Sequence, residues 1–165
     1  MRVLVIRHAI AEDPRDGQSD AERALTKAGR RKMREAAAGL RRVVEHIDVL
    51  GASPLVRAAQ TAEIVSKAYD GLAVSVVEAL KPGKPLKSVL QWIQGHPADA
   101  TVALVGHEPQ LGLLVSWLLS GEQRRSFVRF RKGGACLLSF DESVKAGTAM
   151  LEWMLKSSEM RDLRS

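Results

Sequence analysis

Short, continuous apolar runs alternate with longer stretches in which apolar residues recur every three or four positions. Arg2 to Arg7 holds the run Val3-Leu-Val-Ile6, and Thr101 to Val105 holds Val102-Ala-Leu-Val105. Unbroken runs of this length suit strands covered on both faces. Thr26 to His46 reads instead as a helix, with Thr26 as its N-cap. Met33, Ala36, Ala37, Leu40, Val43, Val44 and Ile47 recur at the spacing of one helical face. Val49 to Ala52 is a short strand. Ser53-Pro54 then predicts a second helix to about Tyr69, since Ser caps well and Pro suits the first helical position.

The rhythm continues with a β-rich Leu72 to Val77, a turn at Lys81-Pro-Gly-Lys-Pro85 and a short helix over Leu86 to Gln94. Pro109 to Leu119 is an apolar helix. Ala135 to Phe140 and Ala149 to Leu155 are two further strands, and Ala9 to Arg23 is a long loop. Strand and helix in alternation predict a three-layer α/β/α sandwich around a mostly parallel sheet, with no cap insertion. Residues 1–156 are expected to form one domain, and residues 157–165 a frayed tail. Ligands of such folds gather at the carboxyl ends of the strands. That rule singles out Arg7-His8, the turn from Ser53 to Arg57, and His107-Glu108.

Composition narrows the function. No apolar run approaches the ~20 residues that cross a bilayer, and the N-terminus does not read as a secretory signal. The single cysteine, Cys136, excludes an intramolecular disulfide and fits a reducing cytoplasm. It sits in an apolar strand and reads as a small hydrophobe. The chain carries a net charge of +6, with basic runs at Arg30 to Arg34, Arg41-Arg42 and Arg124 to Lys132. Aromatic residues make up only 4% and do not interleave with these runs, which argues against a nucleic-acid partner. The runs read as solvated helix faces and a basic rim able to steer an acidic partner. Glu12 and Asp13 belong to an acidic rim.

Two guanidiniums and two imidazoles, on Arg7, His8, Arg57 and His107, gather at strand ends only if an anion lies between them. Arg57 sharpens the point. A cation near a helix N-terminus opposes the macrodipole by a few tenths to ~1 kcal/mol, and a bound phosphate reverses that sign. An imidazole is also a competent nucleophile near neutral pH, its unperturbed pKa being ~6.5.

The segments "VIRHA", "LTKAGRRKMREAAAGL", "SPLVRAAQTAEIV" and "LVGHEPQL", in that order, resemble the histidine phosphatase (phosphoglycerate mutase-like) superfamily. The short chain most resembles its SixA-type phosphohistidine phosphatases. The resemblance covers Met1 to about Leu155. It implies a metal-independent, cofactor-free hydrolase in which His8 accepts the phosphoryl group. Arg7 and Arg57 would clamp the phosphate oxygens, and His107 would complete the pocket. One departure is Ala9, where the family's commonest version has Gly; a methyl group fits there if φ is negative.

A phosphomonoester leaving as alkoxide needs a general acid, and Glu108 and Glu78 are the candidates. A phosphohistidine substrate expels imidazole and needs little acid help. The leading expectation is therefore a monomeric phosphatase of phosphohistidine in signalling or phosphocarrier proteins. The alternatives are a phosphoserine/threonine or small-molecule phosphatase, and a non-catalytic phosphoprotein-binding module.

Overall fold

The computed structural model describes residues 1–164. Its strands are β1 (Arg2–Arg7), β2 (Val49–Ala52), β3 (Val74–Val76), β4 (Thr101–Gly106), β5 (Ala135–Ser139) and β6 (Met150–Leu155). Its helices are α1 (Lys27–Val43), α2 (Val56–Ala68), α3 (Leu86–Gln94), α4 (Gln110–Ser120) and α5 (Ser157–Asp162). The strands form one sheet in the order β3-β2-β4-β1-β5-β6. β1 to β4 run parallel, while β5 and β6 are antiparallel additions on one side.

The pleat sorts β1 between two cores, because successive side chains point to opposite faces. Leu4 and Ile6 pack with Met33 and Leu40 of α1, Ala62 of α2 and Met160 of α5. Val3 and Val5 pack on the other face with Val89 and Ile93 of α3 and Leu111 and Leu114 of α4. Both faces of the sheet are thus covered, which explains the unbroken apolar runs. Cys136 lies in the second core, and burial pushes its thiol pKa up.

α1 begins where the periodicity places it, with Thr26 Oγ1 accepting from the Gly29 N–H at 2.8 Å. α2 begins later than the Ser-Pro signal implies. Leu55 is its N-cap and Val56 its first residue. Ser53 directly follows β2 and remains tied to β4, its N–H donating to the Val105 carbonyl at 3.0 Å. Its hydroxyl lies 2.8 Å from His107 just beyond β4, with only a long 3.4 Å contact to the Leu55 N–H at the helix start. The long loop after β1 is also more ordered than polarity alone suggests: it contains a 3-10 turn at Asp20–Glu22 and a bridge between Ala11 and Leu25.

The expectation of a frayed tail is corrected for residues 157–162, while residue 165 lies outside the described residues. Residues 157–162 form α5, which packs on α1 with Met160 fully buried. Gly39 makes this possible, since a Cβ there would collide with the Met160 carbonyl. Arg161 and Arg164 both reach Glu35 of α1, at 3.7 and 3.4 Å. With a single buried apolar residue in six, α5 has no periodicity to read. Met160→Ala is expected to destabilise the protein by about 2–5 kcal/mol in denaturant titration; an unchanged midpoint would mean that α5 does not contribute to the fold.

Candidate active site

β1 and β4 lie side by side with Arg7 opposite Gly106. The next residues, His8 and His107, therefore leave adjacent strand ends together. The His8 N–H donates to the Gly106 carbonyl at 3.0 Å, and the two rings stand 5.1 Å apart between centroids. Both are buried, at 6% and 2% exposure, and Arg57 in the first turn of α2 is 4% exposed. Arg7 is half-buried. The charges of Arg7 and Arg57 reach both histidines. The four residues from three strand ends thus form one electrostatic unit.

The hydrogen bonds fix the proton of His8. His8 Nδ1 lies 2.8 Å from the Ala9 carbonyl, which can only accept, so Nδ1 carries the hydrogen. Nε2 keeps its lone pair and has no hydrogen-bond partner among the described residues. His107 Nε2 lies 2.8 Å from Ser53 Oγ. Ser53 Oγ also accepts from the Leu55 N–H at 3.4 Å, and with one proton and a second lone pair it can pair with either neutral tautomer of His107. When Ser53 donates to Nε2, the His107 hydrogen lies on Nδ1, a buried atom without a partner.

The His8 pKa is lowered to about 4, chiefly by burial; the Ala9 carbonyl opposes this, and the charges of Arg57, Arg7 and Lys132 add to it. His107 falls to about 3, again chiefly through burial, with the charges of His8, Arg57 and Arg7 adding to it. Both rings are neutral near pH 7. The arginines are held by their terminal nitrogens. Arg7 Nη1 donates to the Phe130 carbonyl at 2.7 Å, while Arg57 Nη1 and Nη2 donate to the Asp20 carbonyl and carboxylate at 2.7 and 2.9 Å. Their Nε atoms are buried and unpartnered, like His107 Nδ1. These three nitrogens are desolvated and unpaired, two of them on cations whose charge reaches His8, an arrangement that an anion would satisfy.

The candidate acids fall elsewhere. Glu108 adjoins the site, but its Oε1 accepts from the Phe130 N–H at 2.6 Å and its Oε2 from the Gly112 N–H at 3.3 Å. It thereby positions the residue whose carbonyl holds Arg7. Glu78 is exposed and pairs with Lys81 at 2.7 Å. Glu12 is on the rim, paired with Arg15 at 3.1 Å. Ala9 fits without strain, since Asp70 is the only non-glycine residue with positive φ among the described residues. Its N–H donates to Thr61 Oγ1 at 3.1 Å, and that hydroxyl donates to the Arg57 carbonyl at 2.7 Å.

Sequence reasoning missed Asp20, Ser53 and Thr61. Burial pushes the Asp20 carboxyl up, yet hydrogen bonds from Arg23 and Arg57 outweigh this and hold it below the usual range. No signal in the loop singled out Asp20. Ser53 was visible but was assigned to capping. Among the described residues, no group of three or more His, Cys, Asp or Glu is arranged to hold a metal ion.

The model of the histidine phosphatase superfamily (branch 1) matches residues 3–82. An uncharacterized protein of Picosynechococcus sp. is 30% identical over 164 residues, covering 94% of this chain and 99% of its own. The chain belongs to the histidine phosphatase superfamily. Among solved structures, the protein histidine phosphatase SixA, complexed with tungstate, is 27% identical with a TM-score of 0.83. The match covers 96% of this chain and 98% of that one. A phosphoserine phosphatase from Entamoeba histolytica in complex with 3-phosphoglyceric acid shares the fold, at 15% identity and a TM-score of 0.68. That match covers 96% of this chain and 98% of the other. The protein is a phosphatase, a hydrolase of this superfamily.

Two outcomes follow for this histidine phosphatase. The depressed His8 pKa keeps the ring neutral to lower pH, so the acid limb of kcat/KM should break near 4, once substrate ionisation is allowed for. A break near the ordinary ~6.5 would contradict the buried, neutral assignment. Ser53→Ala should lower kcat/KM roughly tenfold, the loss of about one hydrogen bond's ~1.4 kcal/mol, with partial recovery in Ser53→Thr. Equal activity of Ser53→Ala and the parent would mean that the Ser53 hydroxyl does not position His107 for the reaction.

Proposed function

We propose that the protein removes phosphate from phosphohistidine in a protein substrate, through a phosphoryl-enzyme on His8. The observation that carries this reading is a neutral His8 whose Nε2 lone pair is free, flanked by unpartnered nitrogens on Arg7, Arg57 and His107. In the first step the Nε2 lone pair forms a bond to phosphorus while the substrate's P–N bond breaks. The electron pair returns to the substrate ring, which leaves as neutral imidazole when its other nitrogen is protonated. Positive charge develops on His8, and the Ala9 carbonyl at Nδ1–H stabilises it. Arg7, Arg57 and His107 Nδ1–H hold the equatorial oxygens, where charge stabilisation counts most. Water then attacks phosphorus, the bond to Nε2 breaks with its electron pair returning to the His8 ring, and inorganic phosphate leaves carrying the water's oxygen and both of its protons.

The placement of the carboxylates favours this substrate over a phosphomonoester. An alkoxide needs a proton, yet Glu108 is engaged with two backbone N–H groups and Glu78 with Lys81. Imidazole, with a conjugate acid near ~6.5, departs without one. The similarity to SixA, a protein histidine phosphatase, supports the same class. A monoester phosphatase with Glu108 or Glu78 as acid is the second reading, favoured only by the proximity of Glu108 to His107.

Rapid quenching during turnover of a phosphohistidine protein should trap an acid-labile, base-stable phosphoryl group on the parent chain and none on His8→Ala. His8→Ala should lose at least about a thousandfold in kcat. Residual activity within tenfold of the parent would exclude His8 as nucleophile, and turnover confined to a panel of sugar phosphates would favour the second reading.

A further inference from the structure

A cleft of about 330 Å³ opens at Ala9, the residue after His8. Five cations line it: Lys32 from α1, Arg131 and Lys132 from the loop before β5, and Lys156 and Arg161 from the junction of β6 and α5. None of its lining residues is acidic or aromatic. Lys32, Arg131 and Lys132 have no acidic partner within salt-bridge distance among the described residues. Lys156 and Arg161 pair with Glu159 at 3.5 Å and Glu35 at 3.7 Å, neither of which lines the cleft. Arg161 Nε is buried without a partner.

The cleft is joined to the active site. The Gly133 N–H on its wall donates to the His8 carbonyl at 3.0 Å, and the charge of Lys132 is felt by the His8 ring. A depression lined by one sign of charge focuses its field and concentrates counter-ions. Like charges held together without anions repel, so an acidic occupant relieves the cleft as well as binding it.

We propose that this cleft is a subsite for the carboxylates of an acidic segment flanking the phosphorylated residue of a protein substrate. The proposal rests on the phosphohistidine-protein reading above and adds what selects the partner. Five cations from three parts of the chain around about 330 Å³ suit several carboxylates better than one small acid group. The lack of aromatic lining leaves no surface on which bases stack, so nucleic acid fits less well.

The test uses three phosphohistidine peptides of equal length whose flanking residues are Glu/Asp, Ser/Gln or Lys, with kcat/KM read at low and high salt. Phosphoserine versions of the same peptides are read as inhibitors of p-nitrophenyl phosphate hydrolysis. The acidic peptide should exceed the neutral one by about tenfold in both assays, and the advantage should shrink with salt. Lys32→Gln/Lys156→Gln should cut that advantage to about twofold, and Arg131→Gln should do so independently. Equal treatment of the three peptides, an undiminished preference in both variants, or stronger competition by a single-stranded oligonucleotide would overturn the subsite. If no phosphohistidine peptide is hydrolysed while acidic phosphoserine peptides still inhibit preferentially, the proposed substrate falls and the subsite stands.

Discussion

Two guanidiniums held beside two imidazoles, largely away from water, set the conditions for everything around them. Burial alone disfavours a charged histidine, and Arg7 and Arg57 disfavour it further, so both rings stay neutral. The same desolvation leaves Arg7 Nε, Arg57 Nε and His107 Nδ1 without partners. Each unpaired buried donor costs about 1–3 kcal/mol. An oxyanion removes that penalty through charge-assisted bonds. On the proposed reading, the site is less stable without its phosphate than with it.

Holding this arrangement falls to groups that take no direct part in it. Asp20 fixes Arg57 from the loop after β1, and the Phe130 carbonyl fixes Arg7 from the loop before β5. Glu108 in turn fixes Phe130. Ser53 reaches His107 because β4 inserts between β1 and β2, although it follows both in the chain. Thr61 ties the turn at Ala9 to the backbone of Arg57. Sheet order thus does more than bring the histidines together: it surrounds them with hydrogen-bonding neighbours.

This division explains what the chain disclosed before any coordinates. The strands covered on both faces announce themselves, and Arg7, His8 and His107 follow from strand ends. Arg57 follows from its conflict with a helix dipole. The struts do not, because a loop aspartate such as Asp20 has the composition of any solvated loop. Ser53 misled for a physical reason: Ser before Pro is a sound cap signal, and only the tertiary neighbour His107 diverts the hydroxyl. α5 was illegible because one buried methionine in six residues makes no pattern, and its stability comes from Gly39 and Glu35 far away in sequence.

Glu108 shows why residue type and position do not suffice to assign an acid. It follows a site histidine directly, where a proton donor to a leaving group is wanted. Yet its two oxygens are spent on backbone N–H groups, and its removal would release the loop that holds Arg7. A carboxylate in that position serves the hold on Arg7. On the proposed reading, chemistry and recognition then divide cleanly. The phosphate pocket accepts a phosphoryl group whose ring departs unaided, and the cationic cleft beside Ala9 reads the acidic surroundings of that ring. Selectivity is thereby drawn from charge at some distance from phosphorus, where it can differ between substrates that present the same phosphohistidine.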